Sequence, residues 1–175
     1  MSLKDLTKEK HRDAERCAFS QKLISGDMSV HDYANYLVQM GYVYQILENK
    51  AYTHNLTQDL PGIARAFAIQ QDIVELVGED HGIAYLPSSL KYGQYLESLS
   101  DPGAIMAHLY VRHMGDLFGG QIIAKKVPGS GKFYQFKDRD QLISTVRSKI
   151  TDDLADEALT AFDWSISIMK ELMSE

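Results

Sequence analysis

Hydrophobic residues recur every three to four positions along most of the chain, which is the spacing of one face of an α-helix. The pattern predicts a first helix from Leu3 to Phe19 and a long one from about 29 to 54. Further helices are expected over 64–78, 88–99 and 139–150, with others starting at Pro102 and after Asp152 or Asp153.

Helix-start signals support this division. Ser29, with Asp32 three residues later, is typical of a helix N-cap, and Asp101 followed by Pro102 is another start. Strand signals are nearly absent, since "KFYQF" at 132–136 is too short and isolated to build a sheet. The expected fold class is therefore all-α, with about seven helices.

Composition narrows the class of protein further. A chain of 175 residues, 45% hydrophobic, is long enough for one core, so we expect a single domain over 1–175. The net charge of −6 argues against nucleic-acid binding. Cys17 has no partner for a disulfide, which fits a reducing compartment. Without a signal peptide or an apolar run of about 18 residues, we expect a soluble, cytoplasmic protein with no membrane anchor.

The segment "YVRHMGDLFGGQIIAKK" at 110–126 is unusual because it places three glycines inside a helix. Each costs about 0.5–1 kcal/mol relative to alanine. Gly115 and Gly119 lie on one face, which indicates either close packing of another helix or a flat ligand against bare backbone. Gly120 would then permit a kink. Asp116 is either a solvated surface residue or a buried carboxylate that needs hydrogen-bond partners.

Near the N-terminus, "KEKHRDAE" places His11 and Glu15 four residues apart on one helix face. In this arrangement a carboxylate can approach one ring nitrogen of a histidine while the other nitrogen binds a metal ion. Taken alone, a histidine in a charged helix is most often a surface residue. The spacing therefore leaves both interpretations open.

Two segments together are similar to a known family. "LKDLTKEKHRDAE" at 3–15 and "AHLYVRHMGDLFGGQIIAKK" at 107–126 resemble the signature segments of biliverdin-forming heme oxygenases. "STVRSKI" and "ALTAFDWSISIMKEL" extend the resemblance over almost the whole chain. It implies a compact helical protein of the soluble cyanobacterial, plastid or phage type, with heme clamped between the first helix and a kinked, glycine-rich distal helix.

The resemblance also implies the roles of individual residues. His11 would be the iron ligand, and Glu15 would contact its other ring nitrogen. The distal side would be formed by Gly115, Gly119 and Gly120, with Asp116 and Arg112 in its water network. Contacts with the heme propionates are implied for Lys4, Tyr110 and Arg147, and positions near the pocket for Tyr44 and Phe162.

The implied reaction uses heme b as both cofactor and substrate, with O2 as co-substrate. Seven electrons would convert it at the α-meso carbon to biliverdin IXα, carbon monoxide and ferrous iron. Because no flavin or nucleotide motif is present, an external donor is expected, and the soluble type uses acidic ferredoxin. Its basic docking patch would be Lys125, Lys126, Lys132, Lys137 and Arg139. A downstream bilin reductase is a further expected partner, which would consume the product.

Four positions depart from the family pattern. Phe118 stands where serine is common, His113 where tyrosine is frequent, Ile143 where a propionate-contacting lysine often lies, and Ser165 in place of an asparagine. Two other functions stay open at this point. One is a heme carrier or sensor that does not degrade its ligand. The other is a non-heme iron enzyme, for which the acidic segment at 72–81 supplies Asp72, Glu75, Glu79 and His81.

Overall fold

The computed structural model describes residues 1–174, and within them the regular elements are all helical. The α-helices are α1 (Leu3–Leu6), α2 (Lys8–Arg16), α3 (Ala18–Ser25), α4 (Val30–Thr53), α5 (Ala66–Val77), α6 (Pro87–Ser98), α7 (Pro102–Ile123), α8 (Arg139–Lys149) and α9 (Ala155–Met173). Short 3₁₀ turns cover Lys132–Tyr134 and Asp152–Leu154. The all-α prediction is confirmed, but the described part holds nine α-helices instead of about seven.

The difference lies at the N-terminus, where one predicted helix is in fact three. The chain breaks at Thr7 and again at Cys17, whose φ of −56° and ψ of 139° are extended. At the end of α2, the Ala14 carbonyl accepts both the Cys17 backbone N–H at 3.2 Å and the Ser20 hydroxyl at 2.7 Å. The sequence did not predict these breaks, because neither Thr7 nor Cys17 is a helix-breaking glycine or proline.

The longer helices begin where the capping signals place them. The Ser29 hydroxyl accepts the Asp32 backbone N–H at 3.0 Å, and the Asp101 carboxylate accepts the Ala104 N–H at 2.8 Å. The central element is α4, which packs against α5, α6 and α7. Within the described residues, no helix is both long and apolar enough to cross a bilayer.

Helix α9 connects the two ends of the chain. It packs against α2 and α3 on one side and against α6 and α7 on the other. Its buried face consists of Ala158, Ala161, Phe162, Ser165 and Ile168. The histidine-bearing α2 and the glycine-bearing α7 therefore share one rigid neighbour, although about 100 residues separate them in sequence.

The loop between α7 and α8 is anchored by buried aromatic rings. Phe133 and Tyr134 stack with ring centroids 4.3 Å apart, in a 3₁₀ turn and not in a strand. The Asp72 carboxylate on α5 accepts the backbone N–H groups of Lys132 at 3.0 Å and Phe133 at 2.8 Å. These bonds hold Tyr134 against the inner side of α7.

Candidate functional site

The glycine face of α7 is bare and open. A Cβ built on Gly115 or Gly119 would meet no atom within 4 Å beyond the neighbouring backbone of its own helix. Phe118 and Ile122 lie close by along α7 and are 45% and 60% exposed. A helix packed against these glycines would have placed atoms in that space, so the close-packing interpretation is wrong for them. The geometry suits a flat apolar ligand.

Gly120 lies on the other side of α7 and is buried. A Cβ at this position would come within 2.4 Å of Tyr134 Cδ1. The Ala124 N–H donates to the Gly120 carbonyl at 2.9 Å, so helical hydrogen bonding continues past the glycine pair. Close approach of the Tyr134 ring explains why glycine is needed here. A contact of Gly120 with a ligand stays a prediction.

Asp116 is buried, with only 8% of the residue exposed, so the solvated-surface interpretation is wrong. The Tyr44 hydroxyl on α4 donates a hydrogen bond of 2.5 Å to Asp116 Oδ2. Burial raises the pKa of the Asp116 carboxyl to about 6, although His113, Tyr44 and Arg112 favour the ionised form and partly offset this. The carboxyl group can therefore exchange a proton near neutral pH.

Arg112 and His113 surround this carboxyl group. The Arg112 guanidinium donates to the Ser165 hydroxyl on α9, and its carbon lies 5.4 Å from the Tyr44 ring centroid. The His113 ring is fully buried and donates from Nδ1 to a carbonyl in α7 at 3.2 Å. Its Nε2 has no hydrogen bond and lies 3.6 Å from a carboxylate oxygen of Glu48. Two residues that depart from the family pattern, His113 and Ser165, are therefore both part of this cluster.

His11 is on the outer side of α2, with 54% of its side chain exposed. Its Nδ1 lies 3.6 Å from Glu15 Oε1, which is slightly longer than a hydrogen bond. The imidazole and the Phe162 ring of α9 pack nearly perpendicular to each other, with ring centroids 5.8 Å apart. Phe162 precedes Ser165 by three residues, and Ser165 holds Arg112. Helix α9 thus connects His11 with the polar cluster of α7.

One of the predicted cationic residues, Arg147, lies close to the exposed part of α7. The Arg147 guanidinium on α8 is 5.4 Å from the Phe118 ring centroid. Burial raises the pKa of the Tyr110 phenol, and the positive charge of Arg147 opposes this rise. Lys4 is exposed on α1. In residues 1–174 neither Lys4 nor Arg147 forms an ion pair, so both charges are available to an anionic ligand.

Sequence reasoning missed a second buried polar group, centred on His108 one turn before Arg112. The His108 ring nitrogens lie 2.6 Å from the Tyr92 hydroxyl and 2.8 Å from Glu157 Oε1. The Tyr95 hydroxyl donates to the same Glu157 oxygen at 2.5 Å. Burial lowers the pKa of His108. The sequence signal was only the four-residue spacing from Arg112, because the partners come from α6 and α9.

The carboxylates considered for a non-heme iron site serve other purposes. Asp72 binds backbone N–H groups of the loop before α8, and Glu75 accepts the Ser130 hydroxyl at 2.6 Å. In the described part of the chain, no three His, Cys, Asp or Glu side chains are grouped so that they could hold a metal ion. Nothing in the arrangement favours the non-heme iron alternative.

The fold and the site define a helical protein with an exposed histidine on α2 and a bare backbone face on α7, connected through α9. The sequence model of the heme oxygenase family matches residues 1–171. The chain belongs to the heme oxygenase family.

Curated relatives agree with this assignment. Heme oxygenase 1 of Bos taurus is 26% identical over 204 residues, a match that covers 98% of this chain and 70% of the relative. Heme oxygenase 1 of Nostoc sp. is 26% identical over 195 residues, covering 95% of this chain and 82% of the relative.

Solved structures have the same fold. The heme oxygenase of Leptospira interrogans has a TM-score of 0.83 and is 26% identical, covering 98% of this chain and all of that chain. Heme oxygenase-1 of Synechocystis, solved in complex with heme, has a TM-score of 0.86 and covers 98% of this chain and 90% of that one. At 22% identity, the second comparison supports the fold alone.

Proposed function

We propose that the protein binds heme b and, with O2, cleaves it at the α-meso carbon to biliverdin IXα, carbon monoxide and ferrous iron. The observation that carries the proposal is the open backbone face at Gly115 and Gly119. A side chain at either position would occupy the space that a macrocycle needs. Family membership supports the same reaction, and the Synechocystis relative was solved with heme bound.

The residues present fit a heme group. The half-exposed imidazole of His11 would hold the iron, and Glu15 would orient it by accepting its Nδ1–H. The apolar ring would lie on the α7 face, where each Å² removed from water contributes roughly 25 cal/mol. Lys4, Tyr110 and Arg147 would hold the propionates. Tyr44 and Phe162 would close the two sides of the pocket.

Bound heme supplies the redox-active iron and the macrocycle that is itself oxidised. The chain itself would bind the heme, orient it and supply protons to the reaction. Asp116, held by the Tyr44 hydroxyl and faced by Arg112, would organise water on the side opposite His11 and return protons through it. The bare backbone leaves room for a ligand as small as O2 and limits its direction, which is the basis for proposing cleavage at one meso carbon.

Ferredoxin is the proposed electron donor. The loop that follows α7 carries Lys125, Lys126, Lys132 and Lys137, and Arg139 begins α8. No ion pair involves these four lysines within residues 1–174. An acidic partner could therefore meet a local positive surface despite the net charge of −6.

The test is a heme titration followed by reduction. Purified protein is mixed with hemin, the visible spectrum is recorded, and reduced ferredoxin or ascorbate is added. We expect the broad red absorption of biliverdin to appear. His11→Ala should abolish turnover but permit weak heme association. His31→Ala, which removes another exposed histidine, is the matched control and should turn over normally.

Two results would contradict the proposal. A stable heme complex that never yields the pigment would favour a carrier or sensor. Unchanged turnover in His11→Ala would mean that the iron ligand is another residue.

A further inference from the structure

His113 lies inside the protein with one ring nitrogen that meets no hydrogen-bond donor. The ring is fully buried, and its centroid is 5.0 Å from that of the Tyr44 ring on α4. Because Nδ1 donates to the Leu109 carbonyl, the single proton of a neutral ring is placed on Nδ1. Nε2 makes no hydrogen bond and lies 3.6 Å from Glu48 Oε2. A neutral His113 therefore turns a lone pair toward a carboxylate oxygen in a buried site, which is an unfavourable contact.

Glu48 is held as a carboxylate by groups at the start of α5. Its Oε1 accepts the backbone N–H groups of Arg65 and Ala66 at 2.8 and 2.7 Å, and its Oε2 accepts the Arg65 N–H at 2.6 Å. These groups lie at the N-terminus of the helix, where the helix dipole favours negative charge. The proton that relieves the contact between the two side chains therefore belongs on His113 Nε2, which makes an imidazolium–carboxylate pair.

Charged and titratable groups surround this pair from three elements. Tyr44 faces it from α4, Arg65 stands at the start of α5, and Arg112 and Asp116 lie near it on α7. Asp116 follows His113 by three residues, so the two side chains are neighbours on the helix surface. Burial raises the pKa of Asp116, and the positive charge of His113 is the strongest effect that opposes this rise.

We propose that His113 is a positioning residue that acts through Asp116: as an imidazolium paired with Glu48, it keeps the Asp116 carboxyl able to release its proton at neutral pH. His113 holds its own proton and transfers none. A tyrosine, which is frequent at this position in the family, would be neutral and could not supply the charge. The inference rests on the proposed function only for the use of the Asp116 proton, because the pair with Glu48 forms in the ligand-free protein.

The test follows both side chains by NMR in the ligand-free protein, labelled with ¹³C-aspartate and ¹⁵N-histidine, from about pH 4 to pH 9. Asp116→Asn identifies the Asp116 carboxyl signal. At about pH 6 the nitrogen shifts of His113 should be those of an imidazolium in the parent. They should be those of a neutral ring in Glu48→Gln, whose amide can donate to Nε2. In His113→Gln the titration midpoint of Asp116 should rise by on the order of one pH unit, because a nearby positive charge is lost.

His108→Gln is the matched control, since it removes another fully buried histidine of α7 whose partners are Tyr92 and Glu157. It should leave the Asp116 midpoint unchanged. In the heme-loaded protein, the pH profile of turnover should move upward in His113→Gln by the same amount as the Asp116 midpoint.

Two results would overturn the inference. One is a neutral His113 in the parent at about pH 6, which needs no variant to be measured. The other is an Asp116 midpoint that is equal in the parent and in His113→Gln, since His113 would then only fill space. If the NMR shifts are as expected but the parent never degrades heme, the pairing of His113 with Glu48 stands and the proposed function fails.

Discussion

Replacing Gly115 and Gly119 by alanine should stabilise the ligand-free protein and weaken heme binding. Neither new Cβ would meet an atom within 4 Å, and both positions lie inside α7. Each replacement should therefore add about 0.5–1 kcal/mol of helix stability, or about 1–2 kcal/mol for the double variant. With an unfolding entropy of about 2.1 cal/mol/K per residue, the melting temperature should rise by about 3–5 °C.

Heme binding should respond in the opposite direction. The added methyl groups would occupy the space in which the macrocycle contacts the backbone, so the ring must tilt or move away from α7. The van der Waals attraction between the ring and the α7 backbone falls steeply as the gap between them widens. We expect the affinity of the double variant for hemin to fall at least tenfold, which corresponds to about 1.4 kcal/mol.

Gly120→Ala is the control that separates this effect from general disruption of the helix. Its Cβ would lie 2.4 Å from Tyr134 Cδ1, so overpacking should cost about 1–3 kcal/mol. Thermal unfolding followed by circular dichroism, with a hemin titration of each variant, measures both quantities. The reasoning is refuted if the Gly115→Ala/Gly119→Ala double variant is less stable than the parent, or if it binds hemin equally well.

Two further predictions concern buried titratable groups. Asp116→Asn should lower turnover at least about tenfold. Because the pKa of Asp116 is raised to about 6, this group stabilises the fold most below pH 4, and the contribution is lost as the pH rises through 6. Between pH 4 and 7 the free energy of unfolding, measured by denaturant titration, should therefore fall by on the order of 2–3 kcal/mol less in Asp116→Asn than in the parent, and an equal decrease in both proteins would contradict the shift. His108→Phe should cost about 2–3 kcal/mol, since the Tyr92 hydroxyl and Glu157 lose their partner, whereas Glu157→Gln keeps a hydrogen bond and should cost less. The lowered pKa of His108 means that its contribution is present above pH 6.5 and lost as the pH falls, so a parent and His108→Phe that respond identically to acid would refute this assignment.

The sequence was informative where the determinants are local. The Asp101–Pro102 start of α7 follows from capping chemistry within a few residues. The four-residue spacing of Gly115 and Gly119 correctly placed both on one face. Spacing could not decide what covers that face, since this depends on whether another element approaches it.

Long-range contacts were beyond sequence reasoning. Gly120 leaves room for the Tyr134 ring. That ring reaches α7 only because Asp72 of α5 holds the loop between α7 and α8. His108 had no recognisable partner, because Tyr92 and Glu157 are 16 and 49 residues away. Such contacts depend on how the helices pack, and no local pattern encodes them.

The hydrogen bonds around Arg112 indicate which group can supply protons to the pocket. The Ser165 hydroxyl has one proton and donates it to the Ala161 carbonyl at 3.1 Å, so it meets Arg112 as an acceptor. Tyr44 likewise gives its proton to Asp116, and burial raises the pKa of Tyr44 far above its usual range. Ser165 therefore holds Arg112 in place without serving as a proton donor. Within this cluster, Asp116 combines burial beside the open face with a pKa close to neutral, so the exchangeable proton is best assigned to its carboxyl group.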